Sequence, residues 1–469
     1  MTRGAAVVAL GARIGSRLER SSYAVRWLVL GISIGVVAGL GAVVFFEMLE
    51  LAGQLLLEGL GGYEPPKAGR DGDTGHSDGF SRPWAIPLVV AGGALASAVL
   101  VARFAPEAEG HGTDAAIEAV HSGPRSIRMR AVGVKMVASA LTIGSGGSAG
   151  REGPAAQISA GFGSLFTRWL NLTDDDGRIA VAIGIGSGIG AIFGAPLGGA
   201  VLSGAILYRN DFEFRTLIPG LISSVTAYSV FGSVEGYEPL FGFVADDYRF
   251  ESPTQLIWFA VIGLLAGGVG ILYSRFFYGT VSVFARLPGN RIVKPAVGGL
   301  LVGLLALAMP EILGSGYGWV QEAMSAETLA SMPLWIVLAL PFAKILATSL
   351  SIGSGGAGGI FGPGMVIGAF VGAALWRLLE PFAPGVPEAP AAFVIVAMMA
   401  CFGAIARVPV AVMLMVAEMT GGYTLIPGGM VAVGIAYLLV LRSGDSIYRA
   451  QREDREAASV ERSGSRPLD

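Results

Sequence analysis

The chain has 469 residues, 53% apolar and only 14% charged, with a net charge of −3. A soluble domain carries about 25% charged residues, so a soluble class is excluded, and the near-neutral charge gives no footprint for a nucleic-acid partner. A lone cysteine, Cys401, excludes an intrachain disulfide.

In chain order, residues 1–21 carry Arg3, Arg13, Arg17 and Arg20. Their apolar part is too short and too basic for a signal peptide, which predicts a retained helix lying on the cytoplasmic surface. Six stretches follow without any Asp, Glu, Lys or Arg: 27–46, 83–102, 179–208, 252–274, 345–376 and 419–441. A helix of about 20 such residues crosses a bilayer. The expected fold is therefore an all-α polytopic membrane protein, with lipid as its solvent. The 71 glycines interrupt many of these runs. Irregular backbone at membrane depth is tolerated only where it is buried in protein or lines a cavity, and such broken spans mark transport proteins.

The predicted organisation is a first membrane repeat over 22–234, a linker over 235–251, a second repeat over 252–443, and a last helix with a tail over 444–469. Residues 61–82 read as a polar external loop. The linker carries Glu238, Asp246 and Asp247 against Arg249 alone, and reads as external. The tail carries Arg442, Arg449, Arg452, Arg455 and Arg462. Positive segments stay inside, so both termini are expected in the cytoplasm. Each half then crosses an odd number of times, and the halves are inverted relative to each other.

The halves also match in sequence. KMVASALTIGSGGSAGREGP (135–154) and KILATSLSIGSGGAGGIFGP (344–363) share 11 of 20 positions without a gap. A weaker match pairs Gly190-Ala191-Ile192-Phe193-Gly194-Ala195-Pro196 with Gly403-Ala404-Ile405-Ala406-Arg407-Val408-Pro409. Inverted-repeat transporters place their ion site where the repeats meet, near the midplane.

Each signature predicts an irregular Gly-rich stretch, then a Gly-x-x-Gly-Pro turn that opens a helix. Proline suits a first helical turn. The free amides there, helped by the helix dipole, bind an anion without a full positive charge, and so leave it free to depart. At matching positions the first half has Glu152 and the second Phe361. An ionised Glu152 would occupy the anion seat, and a protonated one would leave it. One residue would then serve as both gate and proton carrier, and a carboxylate inside the membrane reads as functional by default. The plainer reading is a carboxylate satisfied by capping amides or by Arg151.

Gly150-Arg151-Glu152-Gly153-Pro154, Gly359-Ile360-Phe361-Gly362-Pro363, Ala195-Pro196-Leu197-Gly198-Gly199 and Glu418-Met419-Thr420-Gly421 together resemble the signatures of the CLC family of chloride channels and chloride/proton antiporters. The likeness runs from about residue 27 to 448 and is to the prokaryotic type without CBS domains. It implies a homodimer with one anion pathway per subunit, contacts between subunits through 195–234 and 408–441, and no cofactor or metal. It implies Glu152 as external gate, and the amides of Gly153, Ile360, Phe361 and Gly362 as anion ligands. It implies Tyr448, at the start of the last helix, as part of the inner gate.

Two departures from the family pattern bear on function. His111 in Gly110-His111-Gly112-Thr113-Asp114 stands where the family has a chloride-binding serine. An imidazole donates a hydrogen bond when neutral and adds charge when protonated near neutrality, so a pH-sensitive inner gate is expected. The plainer reading is a histidine hydrogen-bonded at a helix start. Ala205 or Ile206 stands where proton-coupled members carry an inner glutamate, and neither can relay a proton; nearby Glu213 or a water chain is the remaining route.

Lys135 and Lys344 sit nine residues before their Gly-Ser-Gly-Gly runs. With Arg151 they either raise the potential along the pathway or, in the lysines' case, pair with carbonyls at helix ends. His76 and His121 read as loop residues. A dinucleotide fingerprint in Gly144-x-Gly146-x-x-Ala149 lacks its βαβ context. A serine hydrolase built on Ser145, Ser187 or Ser354 lacks a suitably spaced histidine. Two mechanisms stay open: a proton-linked chloride antiporter, favoured by the short architecture, and a passive Glu152-gated channel, favoured by the missing inner glutamate. The absence of a methionine-bearing first motif argues for chloride over fluoride.

Overall fold

The computed structural model describes residues 3–71, 79–242 and 253–463. His76, Asp246, Asp247, Arg249 and Glu251 lie outside the described residues. The described chain is helical, with pairings between extended segments limited to isolated bridges.

The helices are α1 (Arg3–Glu19), α2 (Tyr23–Gly53), α3 (Ala85–Phe104), α4 (Thr113–Ser122), α5 (Met129–Gly144), α6 (Glu152–Trp169), α7 (Asp174–Phe193), α8 (Pro196–Ala205) and α9 (Leu217–Glu235). The second series runs α10 (Gln255–Arg286), α11 (Val293–Ala306), α12 (Tyr317–Ala323), α13 (Ala326–Ser331), α14 (Leu334–Gly353), α15 (Phe361–Leu379), α16 (Ala391–Ile405), α17 (Pro409–Thr420) and α18 (Ile426–Ser443), followed by α19 (Arg455–Ser463). Eight helical stretches among the described residues are long and apolar enough to cross a membrane.

The breaks follow local chemistry. Helix α7 starts where the Thr173 hydroxyl accepts the Asp176 N–H, and Asp174, Asp175 and Asp176 sit against its positive end. It stops at Gly194, whose φ of 69° closes the helix in the left-handed region. Pro196 then opens α8. The uncharged run 179–208 is thus two helices, and the run 345–376 is likewise divided between α14 and α15.

Packing in the second series reproduces that in the first. The pairs α2–α9, α6–α7, α7–α8 and α3–α5 have their counterparts in α10–α18, α15–α16, α16–α17 and α11–α14. The short α13 has no counterpart in the first series. The halves lock together through Glu418 on α17, whose carboxylate oxygens accept the Leu197 and Gly198 amides at the head of α8, at 2.9 and 2.7 Å. One apolar core spans both halves. Helix α7 is 94% buried, while the spans of α10 and α18 are 39% buried and show Leu264, Leu265, Met430 and Leu438 outward. That contrast suits inner helices wrapped by a lipid-facing layer.

Three expectations need correction. Tyr448 is not at the start of a helix; it lies between α18 and α19. The Ser446 hydroxyl accepts the Tyr448 N–H, and Asp114 accepts the N–H groups of Arg449 and Ala450, so side chains satisfy the amides that a helix would. His121 is not a loop residue; it is buried on α4. In the 61–82 loop, Tyr63, Ala68 and Asp71 pack inward rather than lying free in solvent.

Candidate functional site

The two signatures meet backbone to backbone. Gly150 N–H donates to the Gly359 carbonyl at 2.8 Å, and Gly359 N–H donates back at 2.7 Å. On either side, Ala149 N–H reaches the Gly314 carbonyl and Gly358 N–H reaches the Gly110 carbonyl, at 3.3 and 3.4 Å. Equivalent residues of the two halves thus make reciprocal bonds. The approach requires glycine: a Cβ on Gly359 would lie 2.8 Å from both the Gly150 carbonyl oxygen and the Gly153 nitrogen.

This seam brings the N-termini of α6 and α15 together. Neither has a side-chain cap, so their first amides are free for another acceptor. Glu152 supplies it. Its carboxylate crosses to the second half, where Oε1 accepts the Gly362 N–H and Oε2 accepts the Tyr317 hydroxyl at 3.2 Å. The carboxylate is fully buried. It sits where a dissolved anion would find a helix N-terminus in an apolar surround. Arg151 is turned elsewhere: its guanidinium lies 3.0 Å from Asp71 and stacks near the rings of Phe46 and Tyr317.

Beside the carboxylate runs a chain of rings. Phe361 contacts Phe193 and Phe402, Phe402 contacts Tyr448, and Tyr448 contacts His111, with centroids 4.2–6.2 Å apart. The Tyr448 hydroxyl is buried without a well-formed hydrogen bond, with Thr113 a polar neighbour. The Ile360 carbonyl accepts the Tyr273 hydroxyl at 2.9 Å, which fixes the turn before α15.

His111 Nε2 lies 3.2 Å from Asp114. Asp114 also holds the backbone that carries Tyr448, so the histidine and the tyrosine segment share one carboxylate. His111 lines an open cavity of about 530 Å³ together with Phe277, Arg291 and Lys294. A second cavity, of about 120 Å³, is bounded by Arg151, Asp71, Ser315 and Tyr317. Glu152 and Phe361 lie between residues that line the two.

Lys135 and Lys344 do not line either cavity. Lys135 Nζ donates to the carbonyls of Ala108 and Gly110 at 3.1 and 2.5 Å. Lys344 Nζ donates to those of Ile312 and Gly314, both at 2.9 Å. Gly153 packs on the His111 carbonyl and on Gly359. The structure therefore brings together Glu152, Gly153, Ile360, Phe361 and Gly362, with His111 and Tyr448 at one end of the ring chain. Ser145, Ser187 and Ser354 bond to carbonyls of their own helices. Ala205 ends α8 and Ile206 is buried beyond it.

Sequence reasoning missed Tyr317, Asp71 and Asp114. Tyr317 was within reach, because Gly314-x-Gly316-Tyr317 repeats the pattern of Gly110-x-Gly112-Thr113.

The family model described as "Voltage gated chloride channel" matches residues 93–441. A putative chloride channel protein ClcB-like of Ralstonia nicotianae is 32% identical over 385 residues, covering 80% of this chain and 87% of that one. The H(+)/Cl(-) exchange transporter ClcA of Vibrio campbellii is 31% identical and covers 78% of each chain. A slow cyanobacterial Cl-/H+ antiporter of known crystal structure superposes with a TM-score of 0.77 at 25% identity, covering 90% of this chain and 96% of that one.

Proposed function

The chain belongs to the voltage-gated chloride channel (CLC) family, and we propose from that premise that it exchanges chloride for protons, one pore per subunit, with Glu152 as gate and proton carrier. It is a multi-pass membrane transport protein and not an enzyme. The observation that carries the reading is the Glu152 carboxylate seated on the Gly362 amide at the head of α15. An acid in an anion seat makes chloride and ionised Glu152 mutually exclusive. Protonation removes the attraction of the amides and opens the seat to chloride.

The amides of Gly153, Ile360, Phe361 and Gly362 then hold the ion, weakly enough for it to leave. Tyr448 and His111 form the inner constriction, and the cavity of about 530 Å³ is the cytoplasmic mouth. The smaller cavity at Arg151 is the external one. The lysine–carbonyl bonds favour a structural role for Lys135 and Lys344, with their charge a background to the pathway. Both termini face the cytoplasm of a cell membrane, the repeats span 22–234 and 252–443, and two subunits join through 195–234 and 408–441.

Purified protein in liposomes under a chloride gradient tests this. Uphill proton uptake driven by chloride, and its loss in Glu152→Gln, is the expected result. Chloride flux without proton movement would make the protein a Glu152-gated channel. Ala205 and Ile206 favour that second reading, since neither carries a proton.

A further inference from the structure

Each half approaches the site through the same nine-residue device. In the first it is 105–113, and in the second 309–317. Both contain a short 3-10 turn, at Pro106–Ala108 and Pro310–Ile312. Both then place two glycines at positive φ: Gly110 and Gly112 at 79° and 87°, Gly314 and Gly316 at 56° and 84°. Both are gripped at equivalent carbonyls by a buried lysine. Thr113 and Tyr317 are therefore structural mates, each the first residue of its helix. Thr113 lies beside the Tyr448 hydroxyl. Tyr317 reaches Glu152.

The Tyr317 ring has little freedom. It is buried against Phe193 and Phe241, at 6.3 and 6.0 Å, with the Arg151 guanidinium 5.5 Å from its centre. Its hydroxyl fits over Gly362, where a side chain would collide with it. From there it donates to Glu152 Oε2 at 3.2 Å.

We propose that Tyr317 is a positioning residue for transport: its hydroxyl latches the ionised Glu152 carboxylate into the anion seat and sets the pH at which a proton releases it. A donor to the ionised form stabilises that form, so the latch keeps the seat blocked until the external solution is more acidic. The other titratable or charged groups around Glu152 and Tyr317 are Arg151, Asp71, Tyr273 and Tyr448, with Lys135 and Lys344 against the backbone behind them. All remain in Tyr317→Phe, which removes one oxygen and keeps the ring packing. The proposal rests on Glu152 as the gate.

The test is chloride flux into liposomes as a function of external pH, for the wild type, Tyr317→Phe, Glu152→Gln and the double variant. Tyr317→Phe is expected to move the half-activation pH upward by about one unit, a tenfold change in proton affinity. It is expected to move nothing in the Glu152→Gln background. An unmoved midpoint in the single variant would overturn the latch. So would an equal effect of Tyr317→Phe in both backgrounds, which is what loss of packing alone gives. Should Glu152→Gln by itself leave the pH dependence intact, the gate reading fails, a result separate from either outcome at Tyr317.

Discussion

The first half of the molecule brings Glu152, His111 and Thr113 to the site, and the second brings Phe361, Ser315 and Tyr317 to the equivalent places. The backbone scaffold that carries these residues is shared. The lysine–carbonyl clamps, the positive-φ glycines, the uncapped helix starts and the reciprocal Gly150–Gly359 bonds occur once in each half. A duplicated scaffold makes a symmetric pair of uncapped helix starts, and the side chains that differ give it direction. An acid latched by a tyrosine stands at one side, and a histidine beside a second tyrosine stands at the other.

The comparison can be broken most forcefully at Asp71. It has no counterpart in the second half, and it neutralises the buried Arg151. Asp71→Asn leaves that cation unpaired, and loss of one partner of a buried pair costs about 3–5 kcal/mol. Thermal unfolding in detergent is expected to show the loss. An unchanged midpoint would mean that the aromatic rings alone satisfy Arg151.

The shared seam comes next. Gly359→Ala drives a methyl group against the Gly150 carbonyl and the Gly153 nitrogen. Overpacking of this kind costs about 1–3 kcal/mol, and chloride flux is expected to fall with it. Equal damage from the equivalent substitution Gly150→Ala, which meets the Glu152 carboxylate, would mark the seam as symmetric in energy as well as in shape.

A smaller effect is expected at His111. In His111→Ser, flux should lose part of its dependence on internal pH. A profile identical to the wild type's would leave His111 a structural partner of Asp114 only.

The smallest effect lies where the tail docks on the first half: Asp211 receives the Arg455 side chain and the amides of Phe212 and Arg455. Slight burial pushes the Asp211 carboxyl up, but these amides and the Arg455 guanidinium outweigh it and hold it below the usual range. A depressed carboxyl stabilises the fold above its unfolded value, about pH 4, and that contribution is lost as pH falls through the folded one. Tail docking is exposed, so Asp211→Asn should cost under about 1 kcal/mol. Faster proteolysis of the tail below about pH 4 would show it.

Much of this was legible in the sequence. The ungapped match between 135–154 and 344–363 located Glu152, Phe361 and the free amides, because glycine and proline spacing records backbone shape directly. What escaped notice was contact made at a distance. Asp71 sits in a segment with no period to read, yet folds onto Arg151. Asp114 holds the Tyr448 segment across more than three hundred residues, and the resulting non-helical stretch looks no different in sequence from a helix start. His121 occupies the buried face of a helix of only ten residues, too short to announce itself by periodicity.

The central claim is that Glu152 and chloride compete for one seat. Chloride titration calorimetry on the purified wild type and Glu152→Gln, at pH 7.5 and pH 5, tests it most directly. The account predicts tighter chloride binding by Glu152→Gln at the higher pH, and a wild type that approaches it on acidification while taking up protons as chloride binds. Equal affinity of the two proteins at both pH values would contradict it.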